Sequence, residues 1–213
     1  MRWDIINELA KKYNLKSYLE IGLDDGSTFN QVQIENKESC DPFCINREYQ
    51  LDHPELIDEN KNLRADIFKI LTYRMTSDDM FAQNKKKYDL IFIDGLHMRD
   101  QVLRDVKNSM EHLNKKGFIV MHDCLPPRES CQIVPRIDGE WNGDVWKVLP
   151  YLKQIGIEFK VVDEDYGCGI IKYQKKNIPI DEFDFDYHKY FDDIDVRNRE
   201  LNVITQEEFL SSL

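Results

Sequence analysis

The chain has 213 residues, with 40 acidic against 29 basic side chains and a formal net charge of −11. This length suits one domain with a sizeable core, and the acidic balance offers no basic stripe for a phosphate backbone, which argues against a nucleic-acid partner. Cys40, Cys44, Cys124, Cys131 and Cys168 are odd in number and lack CxxC spacing, so they read as free thiols in a reducing cytosol rather than as disulfides or a zinc site. Arg2, Asp4, Glu8, Lys11 and Lys12 interrupt the opening apolar residues, which fits neither a signal peptide nor a membrane span. The expectation is a soluble cytoplasmic protein with no membrane partner, whose charge opposes non-specific association and leaves a specific homodimer open.

In chain order, Trp3, Ile6, Leu9, Ala10 and Tyr13 share one face of an opening helix, and residues 11–16 form its polar exit. Ser17–Ile21 reads as the first strand. It runs into Gly22, Asp24, Asp25, Gly26, Ser27 and Thr28, a strand-to-helix turn in which the glycines allow close backbone approach and Ser27 or Thr28 offers a cap. A dinucleotide site wants a third glycine and an uncharged turn. Glu20, Asp24 and Asp25 would repel pyrophosphate and suit a cationic ligand, and S-adenosylmethionine carries a sulfonium and an ammonium. A plain tight turn explains the glycines equally well. Asp41, at the end of a short second strand over residues 38–40, is placed to accept ribose hydroxyls, or else is a turn residue before Pro42.

Residues 43–64 read as a long polar loop, a lid over the site. Residues 70–75 give a third strand, and Thr76, Ser77 and Asp78 start a helix that in this topology faces the cofactor's base, though capping alone explains Ser77 and Asp78 equally well. Residues 89–93, apolar after Asp89, form a run of strand length ending on Asp94 and Gly95. Val102, Leu103, Val106, Met110 and Leu113 then recur at helical spacing, stopped by Lys115, Lys116 and Gly117. A second run, 118–121, ends on His122 and Asp123. Two parallel strands joined by a helix bring both carboxyl ends to one sheet edge, so Asp94, His97, His122 and Asp123 crowd one crevice. Prolines and Gly139 make residues 124–141 a loop over it. Trp141, Asn142, Gly143 and Asp144 open the next helix. There Trp141 and Trp146 either stack on a sugar ring or serve as loop plug and core anchor. Residues 157–162 and 168–173 pair as an antiparallel hairpin. Beyond Pro179 an acidic, aromatic segment drapes on the core through Phe183, Phe185, Tyr190 or Phe191, and Thr205 with Glu208 forms a capping box. The organisation is one domain over residues 1–178 with an extension, 179–213, packed on it. The fold class is α/β: a Rossmann-like, doubly wound, mostly parallel seven-stranded sheet with an antiparallel C-terminal hairpin strand and helices on both faces.

YLEIG with its glycine turn, CDP, FIDGLH, the strand ending in HDC, WNGDVW, GCGII and NVITQEEF together resemble the small class I Rossmann-fold S-adenosylmethionine-dependent methyltransferases of bacterial and viral polysaccharide genes. The nearest likeness is to the metal-dependent sugar O-methyltransferases of antibiotic biosynthesis. The resemblance implies cofactor contacts from Glu20, Gly22, Asp24, Gly26, Ser27, Thr28, Asp41, Ser77, Asp78 and Asp94. It further implies metal ligation by Asp94, His122 and Asp123, His97 as general base with Asp94, and an acceptor near Trp141, Asn142 and Asp144. His122 stands where those relatives carry a carboxylate, which lowers the site's charge and shifts preference from Mg2+ toward Mn2+, iron or zinc, or toward no metal. The implied reaction is in-line methyl transfer to a sugar or glycan hydroxyl. A catechol-like or amine acceptor, or an inactive cofactor-binding module of a glycan-assembly complex, are the other readings, and a nicotinamide dehydrogenase survives only on the fold.

Overall fold

The computed structural model describes residues 1–43, 54–59, 62, 64–137, 139–180 and 189–213. Helix α1 (Arg2–Tyr13) buries Ile5, Ile6, Leu9 and Ala10 and ends on Asn14 in the left-handed region, which asparagine tolerates. Strand β1 (Ser17–Ile21), helix α2 (Ser27–Gln31) and strand β2 (Asn36–Cys40) follow. Neither Ser27 nor Thr28 caps α2. Its first N–H is taken by Asp25 Oδ1 at 2.8 Å, and the Thr28 hydroxyl accepts from Arg2 instead.

The expected strand at 70–75 is not formed. Ala65–Ile70 is helix α3, and Tyr73 makes a single parallel bridge to Cys40. Ile67, Ile70 and Leu71 recur at helical spacing, and that local pattern prevails over the short apolar pair at 70–71. Helix α4 (Ser77–Gln83) is capped by Thr76, whose hydroxyl accepts from the Asp79 N–H at 3.2 Å. Strand β3 (Tyr88–Ile93), helix α5 (Arg99–His112) and strand β4 (Leu113–Met121) form the central unit. Lys115, Lys116 and Gly117 belong to β4 rather than to a helix stop, in a stretch where the register against β3 shifts between Tyr88 and Leu90.

A 3-10 turn at Val145–Lys147 leads into helix α6 (Val148–Gln154), followed by strands β5 (Lys160–Val162) and β6 (Cys168–Lys172). Helices α7 (Lys189–Asp192) and α8 (Ile194–Glu200), strand β7 (Val203–Ile204) and helix α9 (Gln206–Ser212) complete the described chain. The sheet has seven strands in the order β2-β1-β3-β4-β6-β5-β7, with β6 antiparallel to both neighbours. The seventh strand is thus β7, which adds in parallel to β5.

Alternation along β3 and β4 supplies both faces. Ile91, Ile93, Ile119 and Met121 pack with Val102, Leu103 and Val106 of α5 and with Leu149 and Leu152 of α6. Leu90, Phe92, Phe118 and Val120 pack with Ile5, Ile6 and Leu9 of α1, Phe29 of α2 and Phe209 of α9. Being covered on both sides is what makes these strands read as unbroken apolar runs. In the extension, the rings of Tyr190 and Phe191 meet Trp146 edge-on at 5.2 and 5.5 Å, and the Thr205–Glu208 capping box forms. Phe183, Phe185 and most of the expected 43–64 lid lie outside the described residues. No helix among the described residues is long and apolar enough to cross a membrane.

Candidate active site

Each parallel strand continues for one residue past its end as a backbone ladder: Gly22 N–H donates to Cys40 O (3.0 Å), Asp94 N–H to Ile21 O (2.8 Å) and His122 N–H to Ile93 O (3.0 Å). Gly22, Asp94 and His122 therefore stand in a row along one sheet edge. Gly22 must be glycine for two reasons: its φ is +85°, and a Cβ there would lie 2.1 Å from Asp94 O.

The crevice holds three carboxylates and three cationic or cation-forming groups. Asp94 Oδ1 is 3.1 Å from His97 Nε2 and 3.3 Å from His122 Nδ1. Asp123 Oδ2 is 3.2 Å from His97 Nδ1, while its Oδ1 is 3.4 Å from His122 Nδ1 and accepts from Asn142 Nδ2 at 2.5 Å. Asp165, in the turn between β5 and β6, lies 3.8 Å from His122 Nε2 and 3.1 Å from Arg2 Nη1. Backbone angles with positive φ at His97, Asp123, Asp165 and Tyr166 mark the cluster as strained, a cost of order 1 kcal/mol or more per residue that cooperating contacts must offset.

Electrostatics link the groups. Burial disfavours charge on Asp94, yet His122 and His97 outweigh it and hold its carboxyl well below the usual range. Burial likewise opposes charging the two histidines, but Asp94 and Asp123 raise His97, and Asp94, Asp123 and Asp165 raise His122 well above an ordinary imidazole. The cluster therefore favours its imidazolium–carboxylate form. Asp94, His97 and Asp123 each offer one ligand atom, all within 4.8 Å of one another, so among the described residues they form a group that could hold a metal ion. In that set His97 replaces the sequence-expected His122, whose Nδ1 sits between the two acids.

A cavity of about 160 Å³ adjoins the cluster, walled by Gly22, Asp41, Ser77 and Asp94 as expected, and also by Gln101 and Asp105. Asp41 accepts from Leu23 N–H (2.8 Å) and Phe43 N–H (2.8 Å), so it also shapes the glycine turn. Gln101 Nε2 donates to Ser77 Oγ and Asp105 Oδ1, both at 3.1 Å, and burial raises the Asp105 carboxyl to about 6. Glu20, Asp24, Gly26, Ser27, Thr28 and Asp78 do not line this cavity. Glu20 is buried, accepts from the Tyr18 hydroxyl at 2.5 Å, and is pushed up to about 8 by burial and by Asp94, which makes it a neutral core acid. Asp78 accepts from Arg104 at 3.1 Å. A larger groove, about 900 Å³, lies over Phe118, Phe159 and Phe209 and contains no candidate residue.

The WNGD segment holds the turn that carries His97. Trp141 stacks on the His97 ring at 5.4 Å, Asp144 N–H donates to His97 O, and Asp144 Oδ1 accepts from Arg99 N–H at the start of α5. Gly143 has φ +64°, and a Cβ on it would sit 1.9 Å from His97 O. Gly143→Ala is expected to cost about 2–3 kcal/mol in urea unfolding through strain and clash; a loss under about 0.5 kcal/mol would show that the two segments are not locked together.

Sequence reasoning missed Arg2, Asp165, Gln101 and Asp105. Arg2 and Asp165 are 163 residues apart and meet only through tertiary structure. The spacing of Gln101 and Asp105, one helical turn apart at the start of α5, was a usable signal.

An open α/β sheet of this order, with an acid-lined cavity at its carboxyl edge, is a Rossmann-like arrangement with its crevice where such sheets bind ligands. Residues 19–124 match the family model described as a methyltransferase domain. An uncharacterized protein of Acanthamoeba polyphaga mimivirus is 25% identical over 145 residues, and the match spans 65% of this chain and 66% of that protein's length. The SAH-bound methyltransferase PaMTH1 of Podospora anserina is similar in fold (TM-score 0.57, 16% identity, 82% of this chain and 78% of that one). So is the O-methyltransferase of Bacillus cereus in complex with SAH (TM-score 0.52, 9% identity, 81% and 80%). The domain match supports the methyltransferase reading of the sequence, and the solved structures share the fold.

Proposed function

We propose that the chain is an S-adenosylmethionine-dependent O-methyltransferase acting on a hydroxyl of a sugar or glycan, with His97 as general base. The observation that carries this is the convergence of Asp94, His97, His122 and Asp123 at two adjacent strand ends beside the Gly22–Asp41 cavity. S-adenosylmethionine held beside the Gly22–Asp41 cavity would supply a sulfonium methyl for in-line transfer to the acceptor oxygen, with the C–S electron pair kept by sulfur, and His97 would take the hydroxyl proton. Asp94 holds the imidazole in orientation. Asn142 Oδ1, buried and without a partner among the described residues, and the Trp141 ring beside His97 support an acceptor that brings both a hydroxyl donor and a flat ring face.

The base must be neutral to act, and the acids around His97 raise its pKa. The rate should therefore climb with pH, about tenfold per unit, up to an apparent pKa above 6.5 that belongs to the coupled cluster, and then level off. His97→Ala should remove that limb and lower kcat about 10²–10⁴-fold while leaving cofactor affinity within about twofold. Persistence of the limb in the variant would place the base elsewhere.

A metal-assisted version is favoured by one observation, the convergent Asp94, His97 and Asp123 set, each residue offering one ligand atom. Two oxygens and one nitrogen suit Mn2+, iron or zinc better than Mg2+. Such an ion would supply Lewis acidity that lowers the acceptor hydroxyl's pKa. His97 as a ligand could not also take the proton, so the two versions exclude each other. Transfer of labelled methyl to a panel of sugars, glycans, catechols and amines, with EDTA and with added Mn2+, decides between them. Sugar acceptance that survives EDTA supports the base mechanism, and loss in EDTA restored by Mn2+ supports the metal. Acceptance of only catechols or amines, or of nothing despite cofactor binding, overturns the sugar reading.

A further inference from the structure

Arg2, the first residue of α1, places a guanidinium in the acidic crevice that the methyl-transfer step does not use. Its Nε donates to Thr28 Oγ1 at 2.8 Å, its Nη1 to Asp165 Oδ2 at 3.1 Å, and its backbone N–H to the same oxygen at 3.0 Å. Nε also lies 3.8 Å from Asp94 Oδ2. Three separate parts of the fold therefore fix one side chain that is only 20% exposed, and Nη2 meets no acceptor among the described residues. Pinning a guanidinium this way leaves part of its planar fork free and immobile, the condition under which it binds a carboxylate with little further loss of entropy.

We infer that Arg2 binds the carboxylate of the cofactor's amino-acid arm, with Asp94 taking the neighbouring ammonium. This assignment rests on the cofactor reading and adds a recognition residue to it. S-adenosylmethionine has a nucleoside at one end and a zwitterion at the other. The cavity at Asp41, Ser77 and Gln101 has about 160 Å³, below the roughly 300 Å³ at which pockets for whole ligands of this size begin. It takes the nucleoside, and the arm must leave it. Gly22 and Asp94 form the wall toward the acid cluster, and the charged group next to Asp94 on its Oδ2 side is Arg2. A zwitterion needs a cation and an anion side by side, and the Arg2–Asp94 pair supplies both. In the glycine turn itself, Asp24 and Asp25 would repel a carboxylate, and the turn carries no cationic side chain.

The competing role is structural, with Arg2 only tying α1 to the β5–β6 turn through Asp165. Two ligands separate the roles. S-adenosylhomocysteine carries the amino-acid arm, whereas 5′-methylthioadenosine has the same nucleoside and thioether sulfur without it. Calorimetry on the full chain should show Arg2→Ala weakening S-adenosylhomocysteine binding about 10- to 100-fold and 5′-methylthioadenosine binding by less than about twofold. Arg2→Lys, which keeps a cation beside Asp165 and is the safer variant for folding, should show a smaller loss confined to the same ligand. Equal weakening of both ligands, or of neither, overturns the assignment. If the unaltered chain binds neither ligand, the cofactor reading itself fails, a result distinct from either.

Discussion

Asp94→Asn is expected to lower kcat for methyl transfer by about 1,000-fold. Asp94 Oδ1 receives both His97 Nε2 and His122 Nδ1, and its Oδ2 faces Arg2. Asparagine keeps the shape but has one acceptor oxygen, and its amide N–H₂ points donors at donors. The charge that raises both histidines and orients the base is gone, and three cationic groups lose a shared partner. The cost of such a buried imbalance, about 3–5 kcal/mol, should also appear in urea unfolding. Steady-state kinetics on the accepted sugar, together with unfolding curves, measure both. A variant with kcat within tenfold of the parent would mean that the reaction takes place elsewhere.

Trp146→Ala is expected to lose about 3–5 kcal/mol of stability at neutral pH. Trp146 is 1% exposed, its Nε1 donates to Gln132 Oε1 at 2.9 Å, and the edges of Tyr190 and Phe191 rest against its ring. No neighbouring group can fill a space of that size. The damage should extend to the extension, because Tyr190 and Phe191 lose the surface they pack on. Faster amide exchange across Ile194–Glu200 in the variant would report that coupling. Trp146→Phe, which retains the ring contact and sacrifices the hydrogen bond, should cost about 1–2 kcal/mol. A loss below about 1 kcal/mol for Trp146→Ala would remove the anchoring role.

The central βαβ unit was legible because its information is local. Apolar runs of strand length end on Asp94 and on His122 with Asp123, and topology alone brings those ends together. Gly22 was equally legible, though its closest neighbour is the Asp94 backbone as much as any ligand. What escaped was carried by long-range contacts. Arg2 looks like one polar residue of an amphipathic helix, and Asp165 like a turn aspartate, until the fold joins them. Glu20 reads as a ligand for a cation, whereas its side chain turns to Tyr18 in the core and is held neutral there. The sheet edges failed for a different reason. Residues 70–75 and Val203–Ile204 are short, so a single bridge and a two-residue strand differ by fewer contacts than periodicity can resolve.

The most direct test of the account is calorimetric titration of S-adenosylmethionine into the chain and into Asp41→Ala. Asp41 both walls the cavity and fixes the glycine turn through Leu23 N–H. Saturable one-to-one binding to the parent, weakened at least about tenfold in the variant, is the predicted result. Absence of binding to the parent, or equal affinity in the two, would contradict the placement of the cofactor at this sheet edge.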